Sequence, residues 1–316
     1  MNNSRNRIHR QNGLTLVELL VTLVLMLLVV LATVALFTVS SSSYKTVDAG
    51  QELQDNARFA MEVLGQAARS AGFQDRTGPT SAGVNLADTV FGPGTPVAWR
   101  LEGANNAQLT SSTSAIAFGT NNGVNQSDAL VIRFFGTSST ANPAAADGSM
   151  IDCAGRAIPY PVGSADLGVS AFFVTLVNGE PELNCKSYNP ATGNFSSTQI
   201  VRGVESFQVM YGLDTDGDDV PNRWVSADSA WTPFAASPNW NNVVAIRVGM
   251  VLRGARGSAQ KTGGNLAITD AEKYYYPLGQ DFTGNSTETG LKFADPNDGR
   301  LRRAFATTFM LRNSVR

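Results

Sequence analysis

The chain has 316 residues, of which 43% are hydrophobic and 16% charged, and its formal net charge is −2. That length allows one large domain or two small ones beyond a membrane segment. A slightly acidic chain is poorly suited to bind a polyanion through its bulk charge. The chain has a single histidine, His9, which disfavours imidazole catalysis and zinc sites with histidine ligands. No paired-carboxylate motif stands out. We therefore expect that the protein is not an enzyme.

The first 37 residues combine a basic leader with a long apolar run. The leader, residues 1–13, contains no acidic residue and several basic side chains: Arg5, Arg7, His9 and Arg10. Residues 14–37 are then apolar except for Glu18 and three threonines. As a helix, about 24 residues extend roughly 36 Å, which is enough to cross a hydrocarbon core of about 30 Å. Arginines on the short N-terminal side predict that this end stays in the cytoplasm.

Two simpler interpretations of this segment are a cleaved secretory signal and an ordinary signal anchor. A secretory signal has an apolar core of about 7–15 residues followed by a small-residue cleavage site. The apolar run in this chain is longer and is followed at 38–43 by threonine, valine and serines, without a clear Ala-x-Ala. A signal anchor has no need of Glu18, whose carboxylate costs roughly 2.5–3.5 kcal/mol at the centre of a bilayer.

The hexapeptide at 13–18, Gly-Leu-Thr-Leu-Val-Glu, resembles the type IV prepilin processing site. The resemblance implies that a prepilin peptidase cleaves between Gly13 and Leu14 and methylates the new amine of Leu14. It also implies that Glu18 pairs with the terminal amine of a neighbouring subunit during assembly. Major pilins usually carry phenylalanine where this chain has Leu14, which favours a minor subunit. Cleavage would remove His9 and leave a mature chain without imidazole.

Apolar residues continue at helical spacing beyond the membrane run. Leu53, Ala57, Ala60 and Leu64 recur every three or four residues, and Gly72 follows as a helix-ending residue. The pattern predicts one helix from residue 14 to about residue 71, roughly 87 Å long. We expect four segments: a cleaved leader at 1–13, a transmembrane and assembly helix at 14–39, its amphipathic continuation at 40–72, and a periplasmic β-rich globular domain at 73–316.

The remainder of the chain shows strand patterns. Residues 129–135 and 171–177 are nearly continuous apolar runs, which are typical of buried strands. Alternating patterns predict further strands at 206–211, 244–252 and 305–311. Residues 73–127 are rich in Gly, Ser, Thr, Asn and Pro, which predicts loops with short strands at 97–101 and 115–118. The predicted fold class is α+β and pilin-like, with the long N-terminal helix packed on an antiparallel β-sheet.

Cys153 and Cys185 are the two cysteines of the chain. Behind a membrane segment they face an oxidising compartment, so we expect them to form a disulfide bond. In the chain-entropy description, closing a loop of about 32 residues stabilises the fold by roughly 3 kcal/mol. Two separate buried thiols are the alternative. The spacing is not the Cys-x-x-Cys of a redox site.

Asp214, Asp216 and Asp218 present carboxylates at alternate positions, as at the opening of an EF-hand-like calcium loop. The sequence departs from that pattern at the sixth position, which is Asp219 instead of glycine, and at the twelfth, which is Val225 instead of glutamate. Clustered carboxylates repel one another without a cation, which favours calcium. The alternative is a solvated acidic turn, and both interpretations remain open.

Several later stretches resemble the PilW group of minor pilins: residues 54–60, 69–73, 152–155, 205–212 with 214–218, 243–248 and 302–308. The resemblance implies a subunit that primes type IV pilus assembly and lies in the tip complex, supporting adhesion and twitching motility. It implies as partners other minor pilins, the major pilin, the prepilin peptidase and a PilY-type tip adhesin. The implied location is the inner membrane, with a single pass, a cytoplasmic N-terminus and a periplasmic domain, and then the pilus at the cell surface.

Two alternatives share parts of this pattern. A minor pseudopilin of a type II secretion system has the same leader, helix and fold. A tip module that binds DNA or a surface directly is suggested by a basic C-terminal run: Arg300, Arg302, Arg303, Arg312 and Arg316. The overall acidity of the chain and the lack of interleaved exposed aromatic residues favour strand faces or subunit contacts for these arginines. We therefore do not expect nucleic acid as a partner.

Overall fold

The computed structural model describes residues 15–75, 100–139, 142–161, 166–189, 192–227, 240–259, 274–282 and 290–313. The predicted cleavage pair, Gly13 and Leu14, lies outside the described residues, as do the leader, Arg316 and most of the predicted strand at 97–101. The described parts contain one long helix and thirteen β-strands.

A single helix, α1 (Leu16–Ser70), runs for 55 residues through the apolar run and its amphipathic continuation. Thr15 caps its N-terminus, because the Thr15 hydroxyl accepts a hydrogen bond from the backbone N–H of Glu18 at 3.3 Å. At the other end Gly72 adopts a φ of +69°, which glycine accepts without strain. The predicted continuous helix is therefore confirmed, with a length of about 83 Å.

Most of the strands form two antiparallel sheets. In chain order the strands are β1 (Leu101–Ala104), β2 (Ala129–Phe134), β3 (Ser138–Ser139), β4 (Asn142–Ala146), β5 (Gly168–Val177), β6 (Glu180–Asn189), β7 (Asn194–Arg202), β8 (Val204–Leu213), β9 (Arg223–Val225), β10 (Val243–Arg253), β11 (Tyr274–Tyr275), β12 (Phe293–Ala294) and β13 (Arg302–Met310). The first sheet has the order β1-β2-β5-β6-β7 and the second the order β13-β10-β8-β9. Strands β3-β4 and β11-β12 form two small sheets.

The second half of α1 and the inner faces of both sheets share one hydrophobic core. The buried helix residues recur every three or four positions, as in Leu53, Ala57, Ala60 and Leu64. Small residues allow close approach, since a Cβ atom added at Gly65 would lie 2.8 Å from a Phe309 ring carbon. The α+β class and the helix-on-sheet packing are confirmed, with two sheets where the sequence suggested one.

Strand β8 is buried on both faces, although its sequence alternates like a half-buried strand. All ten of its residues are buried. Phe207 belongs to the main core, whereas Met210 on the other face packs against Leu278 and Leu291 from later loops. Those loops therefore cover a face that the sequence pattern alone would leave to solvent.

The sequence did not predict strands β6 and β7, because polar residues dominate both. In β6 the ammonium of Lys186 is buried and donates hydrogen bonds to the carbonyl oxygens of Thr110 and Ser112 at 2.8 and 2.6 Å. Carbonyl oxygens of the loop over the sheet thus accept hydrogen bonds from the buried charge. The local sequence of β6 contains no sign of these acceptors, so it does not predict a buried strand. The strand predicted at 115–118 is wrong, since the only pairing there is an isolated bridge between Leu109 and Phe118.

Truncation of Leu64 should destabilise the fold strongly. Its side chain is completely buried in the core beneath α1, so Leu64→Ala should lower the free energy of unfolding by about 2–5 kcal/mol. Phe59 lies on the same helix with its side chain 54% exposed, and Phe59→Ala is the matched control, with an expected change within about 0.5 kcal/mol. Thermal unfolding of the purified chain in detergent measures both. Equal losses in the two variants would contradict the assigned packing face.

Candidate functional site

The first half of α1 is apolar and uncovered. Large hydrophobic side chains from Leu16 to Val47 are exposed, including Leu19 at 52% and Phe37 at 73%. The most hydrophobic 18-residue window of the helix has a mean hydropathy of 3.1, and none of it is buried against the described residues. Water is a poor solvent for such a surface, so a membrane or other apolar helices must cover it.

Glu18 lies in the first turn of this uncovered half. The sequence Thr15-x-x-Glu18 has the form of a capping box, in which the first residue accepts a backbone hydrogen bond from the fourth. A carboxylate in the first turn also complements the positive end of the helix dipole. Glu18 is exposed, so its carboxylate is accessible to another chain while it stabilises its own helix.

Cys153 and Cys185 are joined by a disulfide bond, with their Cα atoms 6.0 Å apart. The bond ties the turn at Cys153 to strand β6, where Cys185 is fully buried in the main core. Asp152 orders that turn by accepting hydrogen bonds from the backbone N–H groups of Ala154 and Arg156, both at 2.9 Å. The predicted pairing is therefore present in the structure, as a structural crosslink inside the globular part.

Asp214, Asp216 and Asp218 lie in the loop after β8, with ligand oxygens within 4.8 Å of one another. Asp214 is buried, and its carboxylate accepts hydrogen bonds from the backbone N–H groups of Gly217 and Asp219, both at 2.7 Å. Asp219 adopts a φ of +64°, so the backbone makes the left-handed turn that an EF-hand makes with glycine.

The same geometry suits a turn without a cation. The backbone donors already satisfy the carboxylate of Asp214, and Val225 at the twelfth position is buried in β9 and has no carboxylate. Calcium binding by Asp214, Asp216 and Asp218 therefore stays a prediction. The acidic turn remains its alternative.

Part of the basic C-terminal run is buried in an ion cluster that the sequence did not reveal. We call this group the Arg302 cluster; it comprises Glu180, Glu205, Arg253, Asp295, Asp298, Arg300 and Arg302. The side chain of Arg302 is completely buried and donates hydrogen bonds to Glu205 and Asp298, at 3.1 and 2.7 Å. Arg300 pairs with Glu180 and Asp298 in turn. These two arginines are therefore not free to contact a phosphate backbone.

Two family models match the sequence. Residues 171–313 match Type IV Pilus-assembly protein W, and residues 8–34 match the Prokaryotic N-terminal methylation motif. The chain is a PilW-like type IV pilin. Pilins are structural subunits.

Among solved structures, a type IV-like pilin from Thermus thermophilus is similar, with a TM-score of 0.38 and 16% sequence identity, over 84% of this chain and 100% of that chain. No curated protein matches the sequence. The N-terminal match spans Gly13, Leu14 and Glu18, and the PilW match spans Cys185, the acidic loop and the whole Arg302 cluster. The matched regions of this pilin thus contain the processing motif and much of the β-rich core.

Protonation of Asp298 should weaken this pilin only at low pH. Hydrogen bonds from Arg302 lower the pKa of Asp298 to about 2, from an ordinary value of 3.8. Because the folded-state pKa is depressed, the stabilisation is present above pH 3.8 and is lost as the pH falls towards about 2. The Asp298 side chain is 35% exposed, and solvent screening reduces the contribution to about 1 kcal/mol.

The Tm difference between the natural chain and Asp298→Asn should accordingly stay constant near neutral pH and shrink in acid. Asp281→Asn, at an exposed position outside the cluster, should show no such trend. A Tm difference that is the same at every pH would show that Arg302 does not lower the pKa of Asp298.

Calcium should raise the Tm of this pilin if the acidic loop binds it. The expected cause is relief of repulsion among the three carboxylates, and Asp216→Ala should abolish the response. Asp281→Ala, which removes an exposed acid elsewhere, should leave the response unchanged. Melting curves of the purified chain that coincide in calcium and in chelator would establish the simple acidic turn.

Proposed function

We propose that this pilin is a minor subunit that primes assembly of a type IV pilus and lies in the tip complex, supporting adhesion and twitching motility. The observation that carries the proposal is the division of α1 into a half packed on the sheets and an uncovered apolar half. A subunit of this form can be held in a membrane first and in a helical assembly afterwards. Leu14, in place of the usual phenylalanine, favours the minor class.

The proposed processing step is cleavage between Gly13 and Leu14, followed by N-methylation of Leu14. It creates a positive N-terminus beside the first turn of α1. Glu18 lies four residues further on, about 6 Å along the helix axis. In a lone subunit the carboxylate can reach the membrane surface, so it costs little.

Inside an assembly, exclusion of water makes an unpaired Glu18 carboxylate costly. The N-terminus of a neighbouring subunit offers both a charge and a helix dipole of the required sign. Pairing would fix the axial position of helices whose apolar surfaces otherwise slide past one another. Glu18 is thus proposed to guide assembly, with little role in membrane insertion.

The proposed location follows from the same segment. The pilin spans the inner membrane once with its N-terminus in the cytoplasm, and its globular part lies in the periplasm before incorporation into the pilus. The proposed partners are the prepilin peptidase, other minor pilins, the major pilin and a PilY-type adhesin. A minor pseudopilin of a type II secretion system is the alternative, and neighbouring genes separate the two.

Glu18→Ala should separate assembly from processing. The variant should be cleaved and reach the inner membrane, while the number of pili per cell falls several-fold because the register contact is lost. Gly13→Val should instead leave a full-length, unassembled precursor. Electron microscopy counts the pili, and N-terminal sequencing identifies the processed form.

Thr22→Ala is the matched control for Glu18→Ala. Thr22 is a polar residue of the next turn whose hydroxyl already bonds the carbonyl oxygen of Leu19 at 2.9 Å, so its loss should leave piliation unchanged. Wild-type piliation in Glu18→Ala at matched protein level would contradict the assembly role. Met1, or a distal cut, at the N-terminus of assembled protein would contradict the processing step. A defect confined to protein secretion would favour the pseudopilin.

A further inference from the structure

A groove runs between the packed half of α1 and strand β7, the edge strand of the first sheet. Its volume is about 460 Å³, and its walls include Glu52, Asp55 and Phe59 from the helix and Gln199, Ile200 and Arg202 from the strand. A space of that size accepts a few side chains from one segment of another molecule.

Phe59 is the aromatic residue that lines this groove, and its side chain does not pack in the hydrophobic core. Its side chain is 54% exposed, whereas its helix neighbours Ala57 and Ala60 are buried. Asp48, Glu52 and Phe59 recur at helical spacing on the exposed side of α1. The exposed ring thus belongs to a ridge of α1 that is not packed in the core and that passes strand β7 at the groove.

The acidic side chains of this ridge have no ionic partner in the described structure. Asp48, Glu52 and Asp55 form no ion pair with any described residue, and neither do Lys45 and Arg58, the nearest bases along the helix. The base that lines the groove is already engaged, because Arg202 pairs with Glu182 at 3.2 Å. The groove therefore combines an unneutralised acidic rim with an exposed aromatic ring.

The ridge continues into the uncovered apolar half of α1. Phe37 and Tyr44 precede Asp48 at the same helical spacing, and both are 73% exposed. Phe59 lies 22 residues beyond Phe37, about 33 Å along the axis, so both ends of the ridge cannot lie within one hydrocarbon core. An acidic rim also repels an anionic lipid surface. A protein partner fits the whole ridge better than a membrane does.

We propose that this groove is a docking site for a neighbouring pilin subunit, which places a basic side chain against Glu52 and Asp55 and an apolar side chain against Phe59. The proposal rests on the proposed function, since it continues onto the globular part the surface that neighbouring subunits would cover along the helix. Aromatic residues with complementary charges around them are typical of protein interfaces.

Photo-crosslinking in piliated cells tests the site directly. A benzophenone amino acid at position 59 of the full chain should give an adduct with another pilin-type subunit, identified by mass spectrometry of the linked peptides. The same amino acid at position 220 is the matched control, because Val220 is 55% exposed and lies in the acidic loop. The adduct from position 220 should be at least several-fold weaker.

Charge reversal tests the chemistry of the rim. Glu52→Lys should lower the adduct from position 59 about tenfold, because like charges across an interface repel. Asp281→Lys, at an exposed acid outside the groove, should leave it unchanged.

Equal adducts from positions 59 and 220, adducts only with proteins that are not pilins, or an adduct insensitive to Glu52→Lys would each overturn the docking site. If intact pili contain the chain but position 59 gives no adduct, the docking site is overturned and the proposed function is not. An adduct formed in cells whose pili do not depend on the chain would instead overturn the priming role.

Discussion

The burial of one narrow stripe of α1 against two sheets determines the rest of this molecule. Only small and aliphatic residues occupy the stripe, so the helix approaches closely enough for Gly65 to touch the ring of Phe309. Among the described residues, Ala49 is the first of the helix that is buried. The large apolar side chains before that point are exposed in the described structure, so one half of the helix is packed on the sheets and the other half is left for a membrane or other helices to cover.

The Arg302 cluster links the two sheets that receive the helix, and the disulfide ties the turn at Cys153 to β6 of the first sheet. Glu180 belongs to the first sheet, while Glu205, Arg253 and Arg302 come from three strands of the second. Desolvation costs make such a buried cluster weak evidence for added stability. Its geometry favours a role in alignment, since Glu180 of the first sheet pairs with Arg253 of the second only when both sheets are in their observed positions.

The sequence was sufficient where a single pattern decides the structure. The length of α1 and the strands β2, β5, β8, β10 and β13 follow from apolar periodicity, the end of α1 follows from Gly72, and the Cys153–Cys185 bond follows from the compartment. Strands β6 and β7 were missed because their burial depends on neighbours distant in the chain, as the hydrogen bonds of Lys186 show. The Arg302 cluster was missed for the same reason: Glu180, Glu205 and Arg253 lie far in sequence from the charges at 295–302 and meet them only when the sheets form.

The unbroken course of α1 has a mechanical consequence. The helix passes through Gly50 and the serines at 40–43 without interruption, so the anchored half and the globular part share one continuous hydrogen-bonded rod. A rod of about 83 Å that tilts by about 5° at one end moves its other end by roughly 7 Å. A force on the globular part is therefore transmitted to the N-terminal turn as torque, with no flexible joint between them to absorb it.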